Sequence, residues 1–320
     1  MTGKGQLGLF GTDTELPPRE PDPELVELAS GLPPRLRFGT CSWTFRGWAG
    51  QVYHRSYSSQ KSFVGESLSE YVRHPLFRSV EIDRSYYAPV SAEDLAVYAD
   101  RMPADFDAGM KIWQELTTMI FPRHPRFGER AGKVNPHFLD PHRLAEHVLG
   151  PVGETFAGHI GPLLLSIPPG GAGADPGAFE ERLGYFLARA PSGYRYAVEL
   201  RDRQLLTRRY LAILRDHGAT HVLNHWSRMP PISEQVRMGA LTGPFVVARL
   251  MLPHGARYQQ LKDEWAPFDR IAHVDDEMRT DVLAMIRDAA ERDMPTYVYV
   301  NNKAEGSAPL TIRALAEALQ

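Results

Sequence analysis

Acidic side chains stand inside two apolar segments of this chain. Val80-Glu81-Ile82-Asp83 and Ala197-Val198-Glu199-Leu200 each read as a strand that carries carboxylates. Strand side chains alternate between two faces, so Glu81 and Asp83 are expected on the same face. A carboxylate in a buried strand is costly unless it is paired, protonated or bound to a ligand. The two segments predict a shared polar interior in which Glu81 or Glu199 acts as a general base.

Two cations interrupt other apolar segments. Arg249 offers a planar fork to a carboxylate or a phosphate. Lys111, if desolvated, would have a lowered pKa and could serve as a base or a Schiff-base nucleophile. These two cations and the carboxylates of Glu81 and Glu199 either form a buried network of ion pairs or bind a ligand. Because desolvating each ion costs several kcal/mol, four buried charges favour ligand binding somewhat over a purely structural ion-pair network.

Eight strands alternate with helical segments after residue 35. This alternation predicts parallel strands joined by right-handed crossovers, and eight such units predict an α/β fold of the (β/α)8 TIM-like barrel type. A doubly wound open sheet competes, but no glycine fingerprint follows the first strand. The predicted strands cover residues 36–41, 79–86, 106–113, 161–167, 195–200, 220–224, 245–251 and 296–300.

The carboxyl ends of barrel strands are where this fold places its sites, so the polar residues there are the candidates. The acid–base candidates are Glu81, Glu199 and Lys111. The candidate ligand-binding residues are Trp43, Asp83, Trp113, Arg201, His225, Arg249, Asn301 and Asn302.

Aromatic residues cluster near the ends of the first three strands. They form either a hydrophobic plug over the barrel or a stacking wall for a base or sugar ring. A loop over residues 123–133 carries four cations and is either solvated or in contact with a phosphate backbone. The aromatic residues are Trp43, Phe45, Trp48, Tyr53, Tyr86, Tyr87 and Trp113.

A metal site is the rival interpretation of the strand ends. Oxygen and nitrogen ligands could converge there. However, the chain has no close His-x-His or His-x-x-x-His spacing, and two nearby cations oppose a dication, so no metal ligand is predicted and no cofactor is identified. The rival ligands are Glu81, Asp83, Glu199, His225 and His254.

The composition is that of an ordinary globular protein. The 320 residues carry a net charge of −3, which gives no global basic field for nucleic acid. A single cysteine, Cys41, excludes an internal disulfide and a multi-cysteine metal site. With no apolar run as long as a membrane span and no apolar signal core, a cytoplasmic protein that does not enter the membrane is expected.

Residues 1–34 are rich in Gly and Pro and are predicted to form a flexible, disordered tail ahead of a barrel over residues 35–320. The tail contains Gln6-Leu7-Gly8-Leu9-Phe10, which resembles the peptide that docks on the bacterial DNA polymerase sliding clamp. Gln6, Leu7, Leu9 and Phe10 match that peptide; Leu9 and Phe10 would fill an apolar pocket, with Gln6 forming a hydrogen bond at its edge. Alternatively, the same residues fold back onto the body of this protein.

Six motifs follow one another along the chain: Phe38-Gly39-Thr40-Cys41-Ser42-Trp43, Val80-Glu81-Ile82-Asp83 with Tyr86-Tyr87, Leu164-Leu165-Ser166-Ile167-Pro168-Pro169, Ala197-Val198-Glu199-Leu200-Arg201, Ala248-Arg249 and Asn301-Asn302. In this order they resemble the DUF72 (YecE-like) family. The resemblance covers about residues 36–318 and implies a TIM barrel with its site at Trp43, Glu81, Glu199, Arg201, Arg249, Asn301 and Asn302, but not a reaction. The chain departs from the family at Asp83, at Asp202 and Gln204-Leu205, and at the displaced His254-Gly255.

Three functions are compatible with these features. The first is binding or transformation of a small ligand that carries phosphate or carboxylate, as by a phosphoesterase-like hydrolase or a lyase. The second is a clamp-associated accessory factor that processes or repairs nucleic acid. The third is a ligand sensor without catalysis. The sequence does not identify the substrate or decide whether the protein is an enzyme.

Overall fold

A computed structural model describes residues 20–169 and 175–320 of the chain. Strands and helices alternate from residue 36 onward, as the sequence predicts. The strands are β1 Leu36–Thr40, β2 Ser79–Ile82, β3 Asp107–Lys111, β4 Ile160–Ile167, β5 Arg195–Leu200, β6 Thr220–His225, β7 Val246–Leu250 and β8 Thr296–Val300. The helices are α1 Pro23–Ser30, α2 Gln60–Glu66, α3 Leu68–Tyr71, α4 Ala92–Ala99, α5 Gln114–Thr117, α6 Pro141–Arg143, α7 Gly153–Ala157, α8 Pro176–Leu187, α9 Arg208–Asp216, α10 Ile232–Arg237, α11 Tyr258–Trp265, α12 Asp276–Glu291 and α13 Ala308–Glu317. A π-helical turn, Leu144–Leu149, continues α6.

All eight strands pair in parallel, in the order β1-β8-β7-β6-β5-β4-β3-β2. The two end strands, β1 and β2, meet at a seam. Here the Arg78 N–H donates to the Phe38 carbonyl at 3.0 Å. The Tyr71 hydroxyl bridges the seam, because it accepts from the Thr40 N–H at 3.0 Å and donates to the Ser79 carbonyl at 3.2 Å. The predicted (β/α)8 barrel is therefore confirmed. Between β1 and β2, the Tyr71 hydroxyl replaces some of the backbone hydrogen bonds that join neighbouring strands elsewhere in the barrel.

Apolar side chains fill the interior of the barrel below its carboxyl end. Leu164, Val222, Val247 and Tyr299 belong to this inner cluster, and each is fully buried. A larger cluster fills the space between the strands and the surrounding helices. The closed lower interior leaves the carboxyl ends of the strands as the place for a site.

The second strand is shorter than predicted. It ends at Ile82, and a 3-10 turn, Asp83–Tyr86, follows. The Ser85 hydroxyl donates to the carbonyls of Ile82 at 2.5 Å and of Lys111 at 2.7 Å, which stabilises the turn. The expectation that the strand continues past Asp83 is wrong, and Asp83 lies at the rim of the barrel.

Helix α1 lies within the segment predicted as a tail. The Asp22 side chain caps its first turn, and Glu24 lies 3.7 Å from Arg313 of α13. Leu32, after the helix, is buried. The segment Gln6-Leu7-Gly8-Leu9-Phe10, predicted to be a docking motif, lies outside the described residues. Among the helices that are described, none has both the length and the apolar character needed to cross a bilayer.

Candidate functional site

A fully buried ion-pair triad lies at the carboxyl ends of β2, β5 and β7. Arg249 donates from Nε and Nη2 to both oxygens of Glu81, at 2.9 and 2.8 Å. Its Nη1 donates to Glu199 Oε2 at 2.5 Å. All three side chains have no exposed surface. The inward direction predicted for Glu81, Glu199 and Arg249 is thus confirmed by their shared contacts.

Neighbouring polar groups extend the triad toward the mouth of the barrel. Glu199 Oε2 also accepts from the Ser166 hydroxyl at 2.6 Å and lies 3.3 Å from Arg201 Nη2. Lys111 Nζ lies 2.8 Å from Asp83 Oδ1. These ion pairs link three formal cations with three carboxylates, so much of the charge predicted at the strand ends is neutralised within the protein.

The two triad carboxylates differ in pKa although they share one guanidinium. Burial raises the pKa of Glu81, and Arg249 and Lys111 only partly oppose the rise. Burial also opposes ionisation of Glu199, but Arg201, Arg249 and Lys111, together with the Ser166 hydrogen bond, outweigh it and lower its pKa. Glu199 is therefore held as a carboxylate, while Glu81 is the easier of the two to protonate.

The lone cysteine lies beside the triad but is not activated by it. Cys41 Sγ is 3.9 Å from Arg249 Nη2 and 3.5 Å from the Met251 sulfur. Burial, followed by the charge of Glu81, raises the pKa of the Cys41 thiol. A buried thiol with a raised pKa is a poor nucleophile.

Arginines surround an open cavity of about 600 Å³ beside the ends of β5 and β6. Arg201 lies over the Trp226 ring at 4.4 Å, and its side chain is 17% exposed. Arg203 pairs with Glu234 at 3.0 Å. The sequence candidates did not include Trp226, Arg203 and Arg228, although these residues lie in the segments that follow β5 and β6. The cavity is lined by Arg201, Asp202, Arg203, Gln204 and Arg228.

Other predicted ligand-binding residues lie in packed surroundings. Trp43 is buried and packs edge-on against Tyr98 of α4. Trp113 contacts His147 in the same manner. The Asn302 amide oxygen accepts from the Trp48 indole and from the Ala308 N–H. The Asn301 amide oxygen accepts from the Lys303 N–H at 3.0 Å and lies 3.4 Å from Lys303 Nζ. These contacts support the fold around the mouth.

His225 faces helix α12 rather than the triad. Its Nε2 lies 3.0 Å from Asp275 Oδ2, and its carbonyl accepts from the N–H groups of Met251 and Leu252. The His254 ring packs edge-on at 5.1 Å. Within the described ranges, no group of three or more His, Cys, Asp or Glu side chains is placed to hold a metal ion.

The Asp275 carboxylate should contribute stability that depends on pH. Its contact with His225 lowers its pKa to about 2, although burial opposes this. Because the folded pKa lies below the unfolded one, the contribution is present above about pH 4 and is lost as the pH falls toward 2. We expect Asp275→Asn to be less stable than the parent at pH 6, with the difference shrinking below pH 4. Urea unfolding between pH 2 and 7 measures this, and a difference independent of pH would contradict it.

The parallel eight-stranded barrel and the charged cluster at its carboxyl end define the class of protein: a (β/α)8 barrel with a polar mouth. The chain belongs to the family described as Protein of unknown function DUF72, whose model matches residues 37–320. This confirms the family resemblance seen in the sequence motifs.

Solved structures of the family share the fold. A DUF72 family protein of Thermotoga maritima is 20% identical with a TM-score of 0.61, covering 89% of this chain and 98% of that one. One of Enterococcus faecalis is 13% identical with a TM-score of 0.56, covering 89% and 96%. No functionally curated protein matches the chain.

Proposed function

We propose that the mouth of the barrel binds a small anionic ligand through Arg201. The observation that carries the proposal is the unused donor capacity of this guanidinium beside an open cavity. A guanidinium has five N–H donors. The described residues engage Arg201 through Nη2, and its buried Nε has no acceptor among them. Phosphate and carboxylate are the groups that such a fork binds in pairs of hydrogen bonds.

The surroundings fix Arg201 in place before a ligand arrives. Glu199 holds one edge of the guanidinium, and the Trp226 ring lies against its face. The Trp226 indole N–H is likewise buried without an acceptor in the described part of the chain. A donor that is positioned in advance loses little conformational freedom on binding, which favours affinity.

The cavity itself carries an excess of positive charge. Arg201, Arg203 and Arg228 line it, against the carboxylate of Asp202. Glu234 partly neutralises Arg203 from outside. The remaining positive potential would attract an anion and raise its association rate at low salt. A volume of about 600 Å³ lies within the range of small-molecule sites.

A more specific form of the proposal is that the site also catalyses a reaction, as a hydrolase or a lyase would. Glu199 would be the ionised group, with Glu81 and Lys111 as partners in proton transfer. However, Arg249 occupies both oxygens of Glu81, and Asp83 occupies Lys111. The contacts therefore favour binding over catalysis, which is also what a sensor requires.

Substitution of Arg201 tests anion binding. We expect Arg201→Ala to bind inorganic phosphate or citrate at least about tenfold more weakly than the parent, because a hydrogen bond to a charged group contributes roughly 1.5–3 kcal/mol. Isothermal titration calorimetry at low salt measures the affinity. Arg201→Lys should fall between the two, since it keeps the charge but loses the fork.

Arg292→Ala is the matched control, because Arg292 is an exposed arginine paired with Asp288 at the end of α12. Its affinity for phosphate should equal that of the parent. If Arg201→Ala binds both anions as tightly as Arg292→Ala does, the anion site is not at Arg201.

A second proposal concerns the segment ahead of the barrel. Residues Glu20, Pro21 and Asp22, immediately before α1, line a cavity together with Gly50 and Gln51 of the loop that follows β1. We propose that Gln6-Leu7-Gly8-Leu9-Phe10 docks on the sliding clamp, as its sequence pattern suggests.

Deletion of residues 1–12 should abolish capture of the purified protein by an immobilised sliding clamp. The double substitution Leu9→Ala, Phe10→Ala should do the same, because it removes the two side chains that would fill the apolar pocket. Thr12→Ala serves as the control in the same segment. Capture that survives the deletion would refute clamp docking by this motif.

A further inference from the structure

Two exposed tyrosines stand at the mouth of the barrel on different loops. Tyr87 follows the turn after β2 and is 58% exposed. Tyr258 begins α11, in the connection after β7, and is 52% exposed. Large aromatic rings that remain in water beside a cavity often mark a contact surface for a ligand.

A buried lysine lies against the Tyr258 ring, and a second lies against Tyr86, the neighbour of Tyr87. Lys303, only 4% exposed, lies with Nζ 4.2 Å from the centroid of the Tyr258 ring. Lys111 Nζ lies 4.8 Å from the Tyr86 ring, which packs edge-on against Tyr87 at 5.5 Å. Lys111 ends β3 and Lys303 follows β8, so the Tyr258 ring contacts a residue at a strand end directly and the Tyr87 ring does so through Tyr86. Rigid aromatic surfaces bind flat ligands at low entropic cost.

Cations from two other loops act on the Tyr87 hydroxyl through their charge. Burial raises the pKa of Tyr87, and Asp83 and Tyr258 add to the rise. Arg126 and Arg201 oppose it. Arg201 is the anion anchor of the proposed function, so the aromatic surface and the anchor share one mouth.

From this juxtaposition we propose that the anionic ligand is a nucleoside phosphate, whose base stacks on Tyr87 or Tyr258 while its phosphate binds Arg201. This inference rests on the proposed function and names its ligand class. Stacking on tyrosine tolerates every base, because each base has a π face. Lys111 ends β3 and Lys303 follows β8, whereas Arg201 follows β5. A ligand that contacts both a tyrosine and Arg201 must therefore have a spacer between its ring and its charged group, and the ribose of a nucleotide provides one.

Affinities for matched ligands test the inference. The probes are the four common ribonucleoside monophosphates, ribose 5-phosphate and inorganic phosphate, titrated by calorimetry. At least one nucleoside monophosphate should bind about tenfold more tightly than ribose 5-phosphate, as expected for one stacked base. Tyr87→Ala or Tyr258→Ala should remove this advantage and leave the affinity for ribose 5-phosphate unchanged.

Tyr185→Ala is the control, because Tyr185 is an exposed tyrosine on α8 at the outer surface. The affinity for a 5′-phosphorylated octathymidylate is compared with that for thymidine monophosphate. Tighter binding of the oligomer would indicate that the ligand is the end of a single strand rather than a free nucleotide. If no nucleoside phosphate or oligomer binds more tightly than ribose 5-phosphate, or if the tyrosine variants weaken both alike, base stacking is refuted. Ribose 5-phosphate that still binds through Arg201 would preserve the proposed function, whereas the absence of all anion binding would refute both.

Discussion

Replacement of Arg249 by methionine should lower the free energy of unfolding by about 3–5 kcal/mol at pH 7. Methionine fills a similar space but leaves Glu81 and Glu199 buried with no guanidinium between them. Both carboxylates have no exposed surface, so water cannot replace the lost hydrogen bonds. The loss reflects chiefly the uncompensated buried charge of Glu81, because Glu199 keeps its contacts with Arg201 and Ser166. It exceeds what the intact triad contributes to stability.

The destabilisation caused by Arg249→Met should shrink as the pH falls, as that of Asp275→Asn does, but here because a buried carboxylate of the variant takes up a proton. Without Arg249, the folded pKa of Glu81, which burial already raises, rises further above its unfolded value. The stability of the variant relative to the parent is then greatest below the unfolded value of about 4.3 and falls as the pH rises through the folded pKa of Glu81. Urea unfolding at pH 4 and pH 7 should show the Arg249→Met variant closer to the parent at the lower pH.

A compensating triple variant keeps the prediction testable even if the single variant does not fold. Arg249→Met with Glu81→Gln and Glu199→Gln removes all three charges together and should recover much of the loss. Arg292→Met, at an exposed position, is the control and should change stability by less than about 0.5 kcal/mol. A triple variant less stable than the single one would show that the hydrogen bonds of the triad, rather than its unpaired charges, dominate.

The fold could be predicted from local features because those features agree with one another. Thr296–Val300 occupies the predicted bounds of β8, and the Ser91 side chain accepts from the Asp94 N–H at the start of α4, as a serine before a helix commonly does. Alternation of strand and helix then restricts the topology to very few solutions. The end of β2 was mistaken because Ser85 bonds to the carbonyls of Ile82 and Lys111, one of them on another strand.

The candidate site could be predicted only where the position of a residue along a strand determines which way its side chain points. Glu81, Glu199 and Arg249 each point into the barrel because of the period of a strand, and the structure brings them into contact. The pairing of Arg201 with Trp226 depends on how β5 and β6 lie side by side, which no local pattern specifies. His225 was predicted at the mouth, but as an end residue of β6 it faces outward to Asp275.

Alanine in place of Gly39 should destabilise the barrel by about 3 kcal/mol, because the added carbon has no room at the β1–β2 seam. A Cβ on Gly39 would lie 2.3 Å from the Ser79 carbonyl oxygen. That oxygen belongs to the backbone of β2, so it cannot rotate away as a side chain would, and overpacking of this kind costs about 1–3 kcal/mol or more. Chemical denaturation of Gly39→Ala measures the loss.

Gly65→Ala is the matched control, since Gly65 lies in helix α2 with no atom within 4 Å of its added carbon. It should be neutral or stabilising by up to about 1 kcal/mol. Equal stabilities of the two alanine variants would show that the seam opens at little cost. The seam matters for the site because Glu81 lies two residues after Ser79. If β2 moves outward to admit the added carbon in Gly39→Ala, Glu81 moves away from Arg249, and phosphate binding should weaken together with stability.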